Sequence, residues 1–373
     1  MYLFVFIAFI LIVAVGGTRV YLNQPQFDSP KDPQRWLVQE SAHSRYADGR
    51  FSNPNPAPVM TQKNGQFKAF YDFLFKKDPS AIPEGMLPSE KTDLLHLDPQ
   101  QNVVVWMGHS SLFIQMDGHT FLIDPVFSHN ASPVPHTNVA FSGSNIYTAA
   151  DMPEIDYLLI THDHWDHLDY PTIHALQSKV KTIVVPLGIG SYFRQWGYDS
   201  TIIHEQDWYS QLNGANGLNI YLLPAQHFSG RMFNKNQTLW GSFALISAEH
   251  RIYISGDSGY GPHFKAIGQE FGPFDLAILE NGQYNRSWAH IHMFPEQTAQ
   301  AGVDLRAKYV MPEHNSKFKL SHHPWNEPME RLAQASEGKP YTLWTPMIGQ
   351  TVDLGTVNPQ LKAWWRLPLL PQK

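Results

Sequence analysis

The segment Thr161-His162-Asp163-His164-Trp165-Asp166-His167 carries four side chains able to bind a divalent cation, His162, His164, Asp166 and His167, within six consecutive positions. A loop with this spacing can serve two ions at once. Neighbouring side chains diverge, so His162 and His164 can aim at one ion while Asp166 and His167 aim at another. Two cations roughly 3.5–4 Å apart repel each other and need an anion between them, a place that the carboxylate of Asp257 can take. His227 and His314 then complete the two shells. Zinc accepts imidazole nitrogen and carboxylate oxygen at about 2.0–2.2 Å, and iron or manganese can use the same donors. The expected metal ligands are therefore His162, His164, Asp166, His167, His227, Asp257 and His314, with two divalent ions, zinc foremost, as cofactors. A lone His-x-His pair is more often surface or core, and Asp257 within Ser255-Gly-Asp-Ser-Gly259 could be a turn carboxylate. The density of donors in the first segment decides for the metal reading.

Elements that could position these residues follow a pattern. Past residue 100 the chain breaks into short apolar runs between Gly, Pro, Asn and His, which read as strands joined by helices and loops. Strands are expected at Val103–Trp106, Ser111–Gln115, Thr120–Ile123, Tyr157–Ile160, Thr182–Val185, Asn219–Leu223, Ser242–Ile246, Arg251–Ile254, Leu276–Leu279 and Tyr309–Met311. Helices are expected at Pro171–Ser178, Gly188–Trp196 and Pro295–Leu305. The expected ligands follow four of these strands, the ones ending at Ile160, Leu223, Ile254 and Met311. Strand ends on one edge of a sheet converge in space, so the donors should form one cluster. Strands grouped early and then interleaved with helices predict an α/β fold in which helices cover packed sheets.

The bulk numbers set limits. A chain of 373 residues, 43% hydrophobic and 16% charged, can bury a large core. A net charge of −6 gives no basic footprint, so nucleic acid is not an expected partner. With no cysteine, a metal site must be built from His, Asp and Glu, which suits the 19 histidines present. Residues 1–20 read as a hydrophobic membrane anchor or signal segment: Met1 to Thr18 contains no charged side chain, and a helix of that length spans roughly 27 Å. A buried core helix is the remaining reading. The absence of Lys or Arg before Arg19 favours the uncleaved anchor, and hence a membrane-associated protein whose face is open. Residues 21–100, rich in Pro, Asn and aromatics, read as an arm packed on the domain formed by 101–373, with Trp36, Phe51, Phe67, Phe70, Phe73 and Phe75 as packing residues.

In its order of ligands, the string from Thr161 to His167 followed by His227, Asp257 and His314 resembles the metallo-β-lactamase superfamily. Further blocks are similar to one branch, the N-acylphosphatidylethanolamine-hydrolysing phospholipase D family and its bacterial membrane-associated relatives: Asp48-Gly-Arg-Phe-Ser-Asn-Pro54, Trp106-Met-Gly-His-Ser110, Asp124-Pro-Val-Phe127, Leu239-Trp-Gly-Ser242, Gly256-Asp-Ser-Gly-Tyr260 and Phe271-Gly-Pro-Phe-Asp-Leu276. The resemblance covers about residues 45 to 350. It implies an αβ/βα sandwich, preceded here by the N-terminal hydrophobic helix and extended arm, with a dinuclear site at one edge. It further implies that His162, His164 and His227 hold one metal, that Asp166, His167 and His314 hold the other, and that Asp257 bridges.

By the same resemblance, Asp166 and His292 are the catalytic residues, His292 lying near the substrate phosphate, while His109 and Asp124 support the site. The expected activity is phosphodiester hydrolysis of a phospholipid, with hydroxide between the metals as nucleophile. Such a substrate calls for an apolar groove leading to His292. Alternatives are hydrolysis of a soluble phosphate ester, lactone or amide, or a membrane-tethered protein whose metal is structural. The segments Glu280–Trp288 and His290-Ile-His292 depart from the lipid-hydrolysing branch close to where substrate should lie.

Overall fold

Runs such as Val103-Val-Val-Trp106 and Leu276-Ala-Ile-Leu-Glu280 are buried along their whole length, which happens when a sheet is covered on both faces. The computed structural model describes residues 6, 15–31, 43–55, 58–61, 78–232, 234–357 and 361–371. A short hairpin, β1 (Arg45–Ala47) with β2 (Arg50–Ser52), comes first. Next come β3 (Val103–Trp106), β4 (Leu112–Met116), β5 (His119–Ile123), β6 (Ile155–Leu159), β7 (Val180–Pro186) and β8 (Ile203–Gln206). The second half supplies β9 (Gln211–Asn213), β10 (Asn219–Leu223), β11 (Ser242–Ile246), β12 (Arg251–Ile254), β13 (Leu276–Glu280), β14 (Tyr309–Glu313), β15 (Thr342–Leu343) and β16 (Thr351–Asp353).

These strands build two seven-stranded sheets, ordered β16-β3-β4-β5-β6-β7-β8 and β15-β14-β13-β12-β11-β10-β9. In each sheet three antiparallel pairings give way to three parallel ones, at β5–β6 in the first and β12–β13 in the second. Parallel strands need crossovers, and these carry the helices. α1 (Tyr170–Ala175) and α2 (Gly190–Gln195) cover the outer face of the first sheet, where Ile173, Tyr192 and Phe193 pack on Leu158 and Ile183. α3 (His263–Glu270) and α4 (Pro295–Asp304) cover the second, where Phe264, Ile267 and Ala301 pack on Tyr253 and Val310. α5 (Glu327–Ala335) adds Met329 to the core between the sheets.

That core interdigitates Ile114, Phe121, Leu159 and Val184 with Ile220, Phe243, Ile278 and Met311. Each such fully buried side chain is worth roughly 1.5–3 kcal/mol relative to exposure. The layers are helix, sheet, sheet, helix, which is the expected αβ/βα sandwich.

The expected hydrophobic helix at the N-terminus falls mostly outside the described residues. Residues 15–22 are helical, with Val15 and Val20 exposed. Among the described residues no helix is long and apolar enough to cross a membrane. In the arm, Phe51 is buried at the core and tilts against Tyr46. Trp36, Phe67, Phe70, Phe73 and Phe75 lie outside the described residues.

Candidate metal centre

Every expected ligand sits just past a strand end on one edge of the sandwich. β6 leads into Thr161 and the His162–His167 loop, β10 into His227, β12 into Asp257 and β14 into His314. The turn between β3 and β4 brings in His109, and the residue after β5 is Asp124. His109, Asp124 and His314 hold left-handed backbone φ values of 53°, 42° and 63°. Such conformations cost a non-glycine residue on the order of 1–3 kcal/mol and persist only where the surroundings enforce them.

The donor atoms gather into two sets. In the first, His162 Nε2 lies 2.9 Å from His164 Nδ1, His227 Nε2 lies 3.4 Å from that same atom, and Asp257 Oδ2 lies 3.7 Å from His162 Nε2 and 3.6 Å from His227 Nε2. A tetrahedral ion with ligands at about 2.0–2.2 Å requires edges of roughly 3.3–3.6 Å, so these four atoms lie close to what zinc would need. In the second set, His167 Nε2 is 3.2 Å from Asp257 Oδ1 and 3.5 Å from Asp166 Oδ2, and His314 Nδ1 is 3.0 Å from Asp257 Oδ1. The two carboxylate oxygens of Asp257 thus face different sets. All seven expected ligands are brought together.

Hydrogen bonds behind the rings fix which nitrogen each presents. Thr161 Oγ1 donates to Asp124 Oδ2 at 2.6 Å, so it accepts from His162 Nδ1 at 3.0 Å and leaves Nε2 as the lone-pair nitrogen. His167 Nδ1 donates to Asp124 Oδ2 at 2.7 Å, and His227 Nδ1 donates to the Ile291 carbonyl at 2.9 Å. Three imidazoles therefore turn Nε2 toward Asp257, the arrangement that a metal ligand requires. His109 Nε2 lies 2.9 Å from Asp166 Oδ2, so His109 and Asp124 both support ligands. Meanwhile His167 Nε2 and Asp257 Oδ1, which face each other in the second set, are buried without a hydrogen bond. Leaving such atoms bare costs about 1–3 kcal/mol each, and clustering them is explicable if cations take their lone pairs.

The electrostatics agree. Burial, reinforced by neighbouring imidazoles, holds His162, His227 and His314 well below the usual histidine range, so these rings are neutral and ready to ligate. Burial opposes charge at His167 as well, yet the carboxylates of Asp257, Asp166 and Asp124 raise it well above that range. A field that draws a proton so strongly also draws a divalent cation.

Sequence reasoning left several functional side chains without a role. Glu280, which ends β13, is fully buried and takes a very short hydrogen bond from His292 Nδ1, and it accepts from Ser258 N at 2.6 Å. Burial pushes its carboxyl above the usual carboxylate range, against the pull of the His292 imidazole. Asn53 Nδ2 donates to the His227 carbonyl at 2.8 Å and Arg231 Nε to the Asp163 carbonyl at 2.7 Å. Their signal was position: Glu280 belongs to the stretch departing from the lipid-hydrolysing branch, and Arg231 lies four positions past His227.

Above the ligands opens a cavity of about 310 Å³. Its floor includes His164, Asp166, Asp257, His292 and His314, and its walls are Val59, Met60, Phe228, Trp288, Ile291 and Leu320, with Gln283 the polar member. Six apolar side chains line this cavity beside His292, and among the described residues no Lys or Arg lines it.

A family model described as "Beta-lactamase superfamily domain" matches residues 119–315. The chain is 37% identical over 326 residues to an uncharacterized protein of Mycobacterium tuberculosis, a match covering 86% of this chain and 87% of that one. It is 28% identical over 302 residues to the N-acyl-phosphatidylethanolamine-hydrolyzing phospholipase D 1 of Caenorhabditis elegans, covering 73% of this chain and 83% of that one. Igni18, a metallo hydrolase from the hyperthermophilic archaeon Ignicoccus hospitalis, is similar in fold, with a TM-score of 0.53 at 21% identity over 68% of this chain and 98% of that one.

Proposed function

We propose that this chain, which belongs to the metallo-β-lactamase superfamily of metal-dependent hydrolases, is a two-metal phosphodiesterase acting on phospholipids. The observation that carries the two-metal reading is Asp257: Oδ2 lies 3.6–3.7 Å from the nitrogens of His162 and His227, while Oδ1 lies 3.0–3.2 Å from those of His314 and His167. His162, His164 and His227 would hold one ion, Asp166, His167 and His314 the other, with Asp257 between them. All-nitrogen-and-oxygen donor sets of this kind suit zinc, with iron or manganese as the other candidates. When bound, the two ions would supply Lewis acidity toward phosphoryl oxygens and lower the pKa of water toward about 7.

The chain's own groups do the rest. The apolar walls bind the acyl part of the substrate and exclude water from the floor. Glu280 fixes His292 through Nδ1, which leaves Nε2 as the ring nitrogen free to give a proton to the departing alkoxide. Asp166, in the cavity floor, is held by His109, and its Oδ2 lies 3.5 Å from Nε2 of His167.

Similarity to the Caenorhabditis elegans enzyme and the apolar walls both support a phospholipid substrate. The uncharged stretch from Met1 to Thr18 supports attachment of this domain to a membrane, with residues 21–100 as its arm. The test is a side-by-side assay of metal-analysed protein on an N-acyl phospholipid, a soluble phosphodiester and a lactone. Preferred cleavage of the lipid at the phosphate–headgroup bond is expected. Turnover of the soluble phosphodiester or lactone with none of the lipid would replace this reading with that of a soluble-substrate hydrolase.

A further inference from the structure

Arg231 is 1% exposed, and among the described residues no carboxylate pairs with its guanidinium. A buried arginine charge is expensive; here the carboxylates of Asp163, Asp169 and Asp28 offset it through space while backbone carbonyls take its protons. Nε donates to the Asp163 carbonyl at 2.7 Å, one terminal nitrogen donates to the Leu168 carbonyl in a very short bond, and the other donates to the Gln26 carbonyl at 3.3 Å. The ring faces of Tyr192, Trp196 and Trp165 surround the cation at 5.0, 5.7 and 5.9 Å. Asp163 and Leu168 flank the ligands His164, Asp166 and His167 on either side.

A second set of bonds joins the same parts. Asp163 Oδ1 accepts from Gly230 N at 2.6 Å and Oδ2 accepts from the Tyr192 hydroxyl at 2.9 Å. Gly230, at φ 124°, has a backbone only glycine adopts readily, and a Cβ there would lie 1.9 Å from the Asn234 carbonyl. The turn that follows His227 is thereby tied to the loop from His162 to His167.

We infer that Arg231 is a positioning residue that sets the metal-ligand loop before any ion arrives, by tying together the carbonyls of Asp163 and Leu168. The inference rests on the metal-centre reading above. Only a planar fork with donors in several directions can reach three carbonyls while its faces stack on rings, so lysine keeps the charge and loses the clamp. Ligand loops held in this way bind metal more tightly, and loss of such support costs about 10- to 100-fold in affinity.

The experiment uses the full chain, stripped of metal and then titrated with zinc against a chromophoric chelator, and with cobalt(II) followed by its visible spectrum. Wild type, Arg231→Lys and Tyr192→Phe are compared. Tyr192→Phe keeps the ring beside Arg231 and removes only the hydroxyl on Asp163. The expected result is two ions for wild type, zinc affinity of folded Arg231→Lys weaker by about 10- to 100-fold with a changed cobalt spectrum, and Tyr192→Phe weaker by about three- to tenfold. Should Arg231→Lys fail to fold, Arg231→Gln, which keeps an amide donor in the same ring cage and loses the fork, is read by the same two measures. Wild-type affinity and spectrum in the folded variants would overturn the role of Arg231 and leave the metal centre standing. A wild type that binds no ion would overturn both.

Discussion

Asn53 and His227, 174 residues apart in the chain, exchange two hydrogen bonds: Asn53 Nδ2 donates to the His227 carbonyl at 2.8 Å, and His227 N donates to Asn53 Oδ1 at 3.1 Å. A primary amide matches a backbone peptide donor for acceptor, so the pair holds both φ and ψ of His227 without using its ring. The segment that carries Asn53 is thereby part of the site's support. It also reaches the cavity wall, where Thr61 N donates to the Ser287 carbonyl at 2.8 Å, beside Val59 and Met60.

Replacing Asn53 by Ala strips both bonds and leaves the His227 peptide group without partners. A stability loss of about 1–3 kcal/mol is expected. Zinc affinity should fall by about tenfold, since a ligand has lost its orientation. Urea unfolding and chelator competition measure the two. An Asn53→Ala protein with unchanged zinc affinity would show that the arm merely lies on the domain.

Glu280→Gln keeps the size of the side chain and removes the acceptor that fixes His292. We expect kcat on a phosphodiester to fall by about 10- to 100-fold with KM nearly unchanged, and His292→Gln to fall further, by up to about 10⁴-fold. Because the two act through one proton, the double variant should be no slower than His292→Gln alone. Additive losses in steady-state kinetics would separate the two residues.

Lys317 is buried, with Nζ donating to the Val126 carbonyl at 2.8 Å, and burial lowers its amine to about 7. An unfolded lysine keeps its proton up to about 10.4. Between those values the unfolded chain binds more protons, so stability rises with pH across the window from 7 to about 10.4 and is lower by the full amount below it. Lys317→Met removes this dependence. Unfolding measured at pH 7 and 9.5 should show the variant's stability relative to wild type declining as pH rises, by up to about 1.4 kcal/mol per unit. A pH-independent difference would mean that the amine stays charged in the fold.

What the sequence made legible follows from the strength of each local signal. Val103–Trp106, Asn219–Leu223, Ser242–Ile246 and Arg251–Ile254 are strands at the expected bounds because each holds a short run of apolar side chains, most of them buried. The partly exposed Ile203–Gln206 and the edge strand Gln211–Asn213 carry no such run and were not expected. α3 escaped notice because His263-Phe-Lys-Ala-Ile-Gly-Gln-Glu270 contains Gly and buries only Phe264, Ile267 and Gly268. α5 did carry signals, a proline in its first turn and the i, i+3 pair of Met329 and Leu332.

In the site, ligand types and order were visible because metal binding demands them within a few positions of a strand end. Glu280, Asn53 and Arg231 carried only the signal of position, since a carboxylate on an imidazole, an amide on a peptide group or a guanidinium on carbonyls is fixed by three-dimensional proximity.

The most direct measurement of the two-metal account is metal content of purified wild type and Asp257→Asn after equilibration with excess zinc and removal of free ion. Wild type should retain two zinc ions per chain, and the variant, whose amide cannot offer an anionic oxygen to each set, should lose at least one together with hydrolytic activity. Two ions and full activity in Asp257→Asn would contradict it.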